Sequence, residues 1–274
     1  MPYMNRIAAG LRIFCLLVSG VASAESLTST ETPSPGPAFR SCVDCPEMVV
    51  IPAGIMEKVR PVSKAGRGSD KGRQYSVSVR SFALGKTEVT QGQWKAVMGS
   101  NPSKFSKCGD DCPVERVSWN HAQEFIRRLN QKTGMSYRLP SDAEWEYACR
   151  AGKKDKYCGS EKIESVAWYE SNSGKTTHSV ASKQPNAWGL YDMTGNVWEW
   201  TQDCYDEGYA GASATGAAAT AGNCKRRTLR GGSWGSFQQL ANSAYRSGYP
   251  AKSRAYDVVS RRSDFGLRLA ATLP

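Results

Sequence analysis

Short apolar runs, separated by polar stretches, mark the chain just beyond position 40. The run MVVIPAG, from Met48 to Gly54, predicts a buried strand that Pro52 and Gly54 bring to an end. Residues 75–85, YSVSVRSFALG, alternate apolar and polar side chains and predict strand as well. The polar stretch at residues 57–73 lies between these two segments and predicts a surface loop.

Three helices are predicted from capping signals, each a polar residue followed three positions later by Gln or Glu. The pairs are Thr90 with Gln93, Asn120 with Gln123, and Ser141 with Glu144. The second helix carries one apolar face that we expect to pack on a sheet, formed by Ala122, Phe125, Ile126 and Leu129. His121 lies in its first turn and is interpreted as a surface or capping residue rather than a ligand.

The N-terminal residues have the pattern of a targeting segment. Arg6 and Arg12, the apolar run at residues 13–22 and a small-residue cleavage site ending at Ala24 predict a cleaved signal peptide over residues 1–24. The run is shorter than the ~20 residues that a membrane-spanning helix needs. The alternative to cleavage is a lipid anchor at Cys15, but the residues before Cys15 are a poor context for lipid attachment.

Beyond the leader we predict a tether and a single domain. Residues 25–40 are rich in Ser, Thr and Pro and contain few large apolar groups, so they are predicted to be a tether. Residues 41–274 show no internal repeat, and 26 Gly and 13 Pro in the chain indicate much irregular backbone. One loop-rich domain is therefore expected, with an Ala/Gly/Thr-rich loop at residues 205–223.

Eight cysteines follow the leader and fall in neighbouring pairs. An even number of cysteines in an exported chain predicts disulfides. The expected pairs are Cys42 with Cys45, Cys108 with Cys112, Cys149 with Cys158, and Cys204 with Cys224. A zinc site is the weaker alternative because the chain has only two histidines and no second C-x-x-C. A redox role for Cys42 and Cys45 lacks the flanking strand and helix of a thioredoxin-like site.

The chain is basic. Without the leader it has 34 Lys and Arg against 25 Asp and Glu, a net charge of +9, since Arg6 and Arg12 leave with the leader. Such a charge favours acidic partners, but the basic residues are scattered and their longest run is Lys225 to Arg227. A solvated basic surface is the preferred interpretation, and predicted export argues against nucleic acid.

Four phrases stand in order along the chain: GKTEVTQGQWKAVMG, YRLPSDAEWEYACRAG, GLYDMTGNVWEW, and LRGGSW with the closing GLRLA. Together they resemble the formylglycine-generating enzyme (sulfatase-modifying factor) family. The resemblance covers the chain from about Cys45 to its end and implies an α+β, loop-rich variant of the C-type lectin fold.

The resemblance supports the fold more strongly than it supports a catalytic activity. Oxidising members of the family have a copper-binding cysteine pair between the GGSW-like and GFRC-like phrases, and here residues 235–265 contain no cysteine. Copper(I) prefers thiolate ligands, so no copper and no formylglycine formation are expected. The iron-dependent sulfoxide synthases of the same fold need several histidines, whereas this chain has only His121 and His178. No catalytic residue is therefore assigned.

The phrase GLYDMTGNVWEW resembles a structural calcium site of the family. Calcium takes six to eight hard oxygen ligands, including backbone carbonyls. The resemblance implies ligands from Asp192, the carbonyls of Gly195 and Val197, and Glu199. The alternative is a structural turn that Asn196 caps without an ion.

The segment at residues 235–265 has the composition of a binding surface, rich in Tyr, Ser and Arg and without Glu. It resembles the variable segment of proteins diversified by retroelements, which also begins near a GGSW phrase; an ordinary loop that has drifted is the alternative. With the tryptophan of that phrase, the predicted ligand contacts are Trp234, Phe237, Tyr245, Arg246, Ser247, Tyr249, Arg254, Tyr256 and Asp257.

These observations predict a periplasmic or secreted, monomeric binding protein whose ligand is an unidentified protein or glycan. Two rival hypotheses stay open. One is an enzyme of the same family that uses a site without cysteine. The other is a structural accessory subunit, which would carry a large apolar patch instead of a Tyr/Ser-rich face.

Overall fold

The fold is described by a computed structural model over residues 33–59, 74–206, 213–222, 224–251 and 262–273. Eleven short strands, four α-helices and two short 3-10 helices account for the regular structure of these residues, and the remainder is turns and irregular backbone. No helix in these ranges is long and apolar enough to cross a membrane.

The largest sheet has five strands and joins the start of the domain to its end. Its spatial order is β1-β2-β5-β11-β6, and all its pairs are antiparallel. The strands are β1 (Ala38–Phe39), β2 (Met48–Ile51), β5 (Phe82–Gly85), β6 (Tyr137–Arg138) and β11 (Ala270–Ala271). The predicted strand at MVVIPAG is therefore confirmed. The two alanines of β11 form an interior strand of this sheet, between β5 and β6.

Two further sheets complete the β structure. A hairpin pairs β3 (Gly54–Val59) with β4 (Gln74–Val79), so part of the predicted polar loop is strand. A four-stranded sheet has the order β10-β7-β8-β9. Its strands are β7 (Trp198–Cys204), β8 (Arg226–Arg230), β9 (Ser247–Pro250) and β10 (Phe265–Gly266).

Three helices begin at capping boxes, and two of these are the predicted ones. Thr90 caps α1 (Gln91–Met98) and Ser141 caps α3 (Asp142–Arg150). The predicted cap at Asn120 is wrong. Helix α2 (Trp119–Thr133) begins two residues earlier at Ser118, whose backbone N–H donates to the His121 ring 3.3 Å away. A fourth, single-turn helix is α4 (Ile163–Val166).

The core lies between α2, the five-stranded sheet and the four-stranded sheet. The predicted apolar face of α2 is buried, and the ring of Phe125 stacks on Trp94 of α1 at 5.0 Å. A second buried cluster surrounds Trp145 of α3 and Phe82 of β5. These clusters hold the short strands in place, because two-residue strands supply few backbone hydrogen bonds of their own.

All four predicted disulfides are present: Cys42–Cys45, Cys108–Cys112, Cys149–Cys158 and Cys204–Cys224. Every cysteine among the described residues is therefore paired. The Cys204–Cys224 bond closes the base of the predicted loop at residues 205–223, as expected.

The folded domain begins before position 41. Ala38 and Phe39 pair with Val49 and Met48, and the N–H of Gly36 donates to the carbonyl of Val50 at 2.8 Å. These contacts shorten the predicted tether at residues 25–40. The composition did not reveal them because edge pairing uses backbone groups, which any sequence provides.

Candidate binding face

The LRGGSW phrase forms a sharp turn at the end of β8. Gly231 and Gly232 both have positive φ, of 91° and 80°. A Cβ on Gly232 would lie 2.9 Å from the Cα of Ala241, so a side chain there would collide with backbone. The turn ends β8 at Arg230, and Trp234 after it is half-buried.

Trp234 is fixed from three directions. Its backbone N–H donates to the carbonyl of Asn196 at 2.8 Å, and its own carbonyl accepts from the Ser173 hydroxyl at 2.7 Å. Its indole N–H donates to the carbonyl of Ser263 at 2.9 Å. A half-buried indole whose polar atoms are all engaged leaves only ring surface for a ligand.

Two phenylalanines accompany Trp234, Phe105 through a ring contact and Phe237 through its position three residues later in the chain. The half-buried ring of Phe105 meets Trp234 edge to face at 5.4 Å, with the Lys104 ammonium 5.2 Å from the Phe105 ring centre. Phe237 follows three residues after Trp234, and 63% of its surface is exposed. We call Phe105, Trp234 and Phe237 the aromatic face. Phe105 was missed from the sequence because it lies 129 positions before Trp234 in the chain.

The predicted tyrosine contacts pack on the core. Tyr245 lies 6.0 Å from the ring of Trp198, and Tyr249 meets Phe265 edge to face at 4.8 Å. Both tyrosines are half-buried. They present part of each ring to solvent, in contrast to the strongly exposed Phe237.

Arg246 and Ser247 are held by the framework. Only 10% of the Arg246 side chain is exposed, and its Nε lies 3.2 Å from an Asp142 carboxylate oxygen. Ser247 belongs to β9 and pairs with Leu229 of β8. The three other predicted contacts, Arg254, Tyr256 and Asp257, fall outside the described residues.

The predicted calcium turn is a tightly bonded corner. Asp192 and Asn196 adopt left-handed backbone with φ of 54° and 53°, which Asn and Asp tolerate better than most residues. The Asn196 side chain accepts from the N–H of His178 at 3.0 Å and donates to Glu88 at 2.8 Å. Asn196 thus caps the turn, as the alternative without an ion also requires.

The two predicted carboxylate ligands of this turn differ in whether a carboxylate oxygen lacks a hydrogen-bond partner. Glu199 accepts from the Arg268 guanidinium at 2.8 Å and from the Trp145 indole at 2.6 Å, so both its oxygens are engaged. Asp192 accepts from the N–H of Ala181 through one oxygen, while its other oxygen is buried without a partner. A calcium ion at Glu199 would compete with Arg268, so calcium stays a prediction.

Burial dominates the acid–base properties of this corner. It raises the pKa of Asp192 to about 6, and it raises the pKa of Glu88 well above its usual value with help from the charges of Asp192 and Glu199. Arg268 is the cation that opposes these effects. Among the described residues, no three His, Cys, Asp or Glu side chains are grouped so as to hold a metal ion.

A buried network of charges under the C-terminal segment was not predicted. Asp142 lies 2.8 Å from Arg230 and 3.1 Å from Lys58. Glu146, one helical turn later, lies 2.6 Å from Arg230 and 3.0 Å from Lys58. The i, i+4 spacing of the two acids on α3 was the available sequence signal, but their partners come from distant strands.

Comparison with known proteins identifies the family to which this architecture belongs. Residues 35–273 match the family model of the sulfatase-modifying factor enzyme 1-like domain. The chain is similar to the chaperone protein LppX of Paenibacillus barcinonensis, with 30% identity over 71% of this chain and 81% of that protein. It is 31% identical to the formylglycine-generating enzyme of Streptomyces coelicolor over 58% of this chain, a match that spans about half of the enzyme, 52%.

Two solved structures share the fold over their full length. PvdO from Pseudomonas aeruginosa has a TM-score of 0.71 at 31% identity, covering 88% of this chain and 100% of that chain. Treponema denticola variable protein 1 has a TM-score of 0.70 at 28% identity with the same coverage. They confirm the predicted α+β, C-type lectin-like fold, and this chain belongs to the sulfatase-modifying factor enzyme 1-like family.

Proposed function

We propose that this protein is an exported ligand-binding protein whose formylglycine-generating-enzyme-like scaffold presents the aromatic face to a protein or glycan. The observation that carries the proposal is the combination of rigidity and exposure at Trp234 and Phe237. Three hydrogen bonds fix Trp234, whereas Phe237 is 63% exposed. A stiff aromatic surface binds with little loss of side-chain entropy.

The C-terminal segment is proposed to be the variable part of this surface. A protein named variable protein 1 shares the fold at a TM-score of 0.70, which supports the idea for residues 235–265 of this chain. Diversification requires a reverse transcriptase and a near-copy of the final coding segment in the neighbouring DNA. If the DNA around the coding sequence holds neither, the segment is an ordinary loop and the binding proposal rests on the aromatic face alone.

Cysteine usage favours binding over oxidation. Residues 235–265 contain no cysteine, and each cysteine of the described residues forms a disulfide. A disulfide sulfur cannot serve as the thiolate that copper(I) prefers. The rival function, an enzyme with a site that lacks cysteine, would act on its substrate without copper.

Binding is tested on glycan and extracellular-protein arrays with purified protein. We expect a restricted set of ligands to bind the unaltered protein and to be lost from a Trp234→Ala, Phe237→Ser variant. Val43→Ser is the matched control, since Val43 is also strongly exposed and lies elsewhere. Equal binding by the aromatic-face variant and the control would remove the aromatic face from the proposal.

The rival function has its own measurement. Oxygen uptake is followed with a cysteine-containing sulfatase peptide, once with copper and once without it, and a formylglycine-generating enzyme with copper is the positive control. We expect no turnover by this protein. Sustained oxygen consumption with conversion of the peptide would show that the chain is an oxidase.

Calcium is proposed only through the family resemblance at residues 192–199. The partnerless oxygen of Asp192 favours an ion, and the engagement of Glu199 by Arg268 disfavours one. If calcium binds, chelator lowers the Tm of the unaltered protein and leaves an Asp192→Asn variant unchanged. Identical melting of the unaltered protein with calcium and with chelator would contradict a stabilising calcium ion at this turn.

A further inference from the structure

A cavity of about 600 Å³ lies beside the β3–β4 hairpin, apart from the residues of the aromatic face. One wall is apolar and is formed by Ile55, Met56 and Tyr147. Ile55 is 71% exposed, although it belongs to a strand of the domain. The volume falls within the range of about 300–1,000 Å³ that is typical of small-molecule sites.

The mouth of the cavity is cationic. Lys153 and Lys154 line it and are exposed, and within the described part of the chain neither ammonium group forms an ion pair. Arg150 lies beside them and pairs with Glu146 at 2.9 Å. Glu57 is the exposed carboxylate of the wall, and it accepts a hydrogen bond from the Ser76 hydroxyl.

The buried charges behind the cavity do not cancel this positive character. Glu146 contacts Lys58, Arg150 and Arg230, and Asp142 contacts Lys58, Arg230 and Arg246. Asp203 is a third buried acid beside them and accepts from the N–H of Asp142 at 2.7 Å. Among the described residues, four cations therefore face these three acids. An anion that enters the mouth meets a net positive field next to an apolar wall.

Both walls are held in place by the fold. The Cys149–Cys158 disulfide closes the loop that carries the lysines, and the Asn186 amide donates to the carbonyl of Ala148 at 2.7 Å. The hairpin sits directly on α3, since a Cβ on Gly54 would collide with the Tyr147 hydroxyl oxygen. A preformed cavity binds without first paying to order its walls.

We propose that this cavity binds a small amphipathic anion, a carboxylate on an unbranched hydrocarbon chain. The chain would lie on Ile55, Met56 and Tyr147, and the carboxylate would face Lys153 and Lys154. The combination decides the class of ligand. A simple inorganic anion leaves the apolar wall uncovered, and an uncharged hydrocarbon leaves the lysines without a counter-charge.

The test uses the full chain and decanoate below its micellar concentration, with binding measured by isothermal titration calorimetry. We expect saturable 1:1 binding of decanoate and no measurable binding of acetate. Decyltrimethylammonium, with the same tail and the opposite charge, should bind at least about tenfold more weakly. Equal affinity for the anionic and cationic amphiphiles would overturn the proposal.

Two variants assign the binding to this cavity. Lys153→Glu with Lys154→Glu should weaken decanoate binding by about tenfold or more, and Ile55→Ser by several-fold. Matched controls are Lys104→Glu with Lys107→Glu, which change the net charge equally, and Val43→Ser, which removes a different exposed apolar side chain. If the controls weaken binding as much as the cavity variants, the effect is general and the cavity is not the site.

The outcome is independent of the aromatic face. The Trp234→Ala, Phe237→Ser variant should bind decanoate with unchanged affinity. Loss of decanoate binding in that variant would place the ligand on the aromatic face and overturn the assignment to the cavity.

Discussion

Glu115 is a buried carboxylate with one oxygen that has no partner. Its Oε1 accepts from the N–H of Phe105 at 2.8 Å, and its Oε2 is buried and makes no hydrogen bond. Burial raises its pKa from 4.5 to about 7, against the lowering effect of the Phe105 and Lys104 N–H groups and of Arg116. Because Phe105 belongs to the aromatic face, this acid supports the candidate binding site from below.

Stability should therefore fall as the pH rises through the folded-state pKa of Glu115. Between pH 4.5 and about 7 the folded protein retains a proton that the unfolded chain releases, so the contribution is present at low pH and lost near pH 7. The unfolding free energy of the unaltered protein should fall between pH 5 and pH 8. In Glu115→Gln we expect this fall to be smaller by on the order of 2 kcal/mol. Urea unfolding at several pH values measures it.

Glu124→Gln is the control for that experiment. The pKa of Glu124 is lowered to about 2 by hydrogen bonds from Arg127 and Arg128, so its titration lies outside this pH range. The control should keep the pH dependence of the unaltered protein. An unchanged slope in Glu115→Gln as well would mean that Glu115 is ionised throughout.

Arg268 is the most consequential buried cation for the turn at residues 192–199. It is fully buried, contacts both oxygens of Glu199, and donates to the carbonyls of Gly85 and Tyr191. Arg268→Gln leaves Glu199 buried without its counter-charge. We expect a loss of about 3–5 kcal/mol in unfolding free energy, measured by chemical denaturation.

The exposed Arg127 provides the comparison. Arg127→Gln breaks a pair with Glu124 on the surface of α2, and surface pairs contribute little. In the same chemical denaturation, its unfolding free energy should match that of the unaltered protein. A similarly small effect of Arg268→Gln would show that the corner tolerates an unpaired Glu199, for example through a bound cation.

Single residues of this kind were the hardest to predict from the sequence. Arg230 and Arg268 stand within the LRGGSW and GLRLA phrases, yet both are fully buried. Arginine is seldom buried unless it is paired, and the partners, on α3 and β7, are distant in sequence. Tyr245 and Tyr249 are half-buried, because an amphipathic side chain fits such a position as well as an exposed one, and their role as ligand contacts stays a prediction.

At the scale of elements, local signals succeeded where their cause was local. Thr90 and Ser141 cap helices as predicted because the cap and its reciprocal side chain lie within one turn. The cap of α2 was predicted two residues too late, because the reciprocal position of its capping box holds His121 instead of Gln or Glu. The position of β11 between β5 and β6 had no local signal, since two alanines have no strand pattern.

The Cys204–Cys224 disulfide should stabilise more than its shortest counterpart. It joins residues 20 positions apart, whereas Cys42–Cys45 joins residues 3 apart. A crosslink that closes a longer loop removes more entropy from the unfolded chain. We expect Cys204→Ser with Cys224→Ser to lose about 3 kcal/mol, and Cys42→Ser with Cys45→Ser to lose clearly less.

Chemical denaturation under non-reducing conditions compares the two double variants. Both remove one disulfide and two sulfur atoms, so each serves as the control of the other. A larger loss from the Cys42 and Cys45 variant would show that native packing around the buried Cys45, rather than loop entropy, decides the contribution.

At the scale of the whole molecule, the four sequence phrases were sufficient for the family and the fold. Several phrases in a fixed order are enough to identify a whole scaffold. The fold could therefore be predicted although the strands are too short to predict it by themselves. They were insufficient for the ligand. The aromatic face combines residues from two distant segments, and the cavity combines a hairpin, α3 and a lysine loop, so neither surface is contiguous in sequence.

Export links the disulfides to the predicted leader. If residues 1–24 are a cleaved signal peptide, the chain expressed in a Gram-negative bacterium should reach the periplasm with Glu25 at its N-terminus. Its eight remaining cysteines should resist alkylation until reductant is added, because that compartment is oxidising. Ala22→Lys should block cleavage without altering the mature domain, and expression from Glu25 onward should leave the thiols open to alkylation in the cytoplasm. An intact N-terminus in the purified periplasmic protein would contradict cleavage, and free thiols there would contradict the four disulfides of the structure.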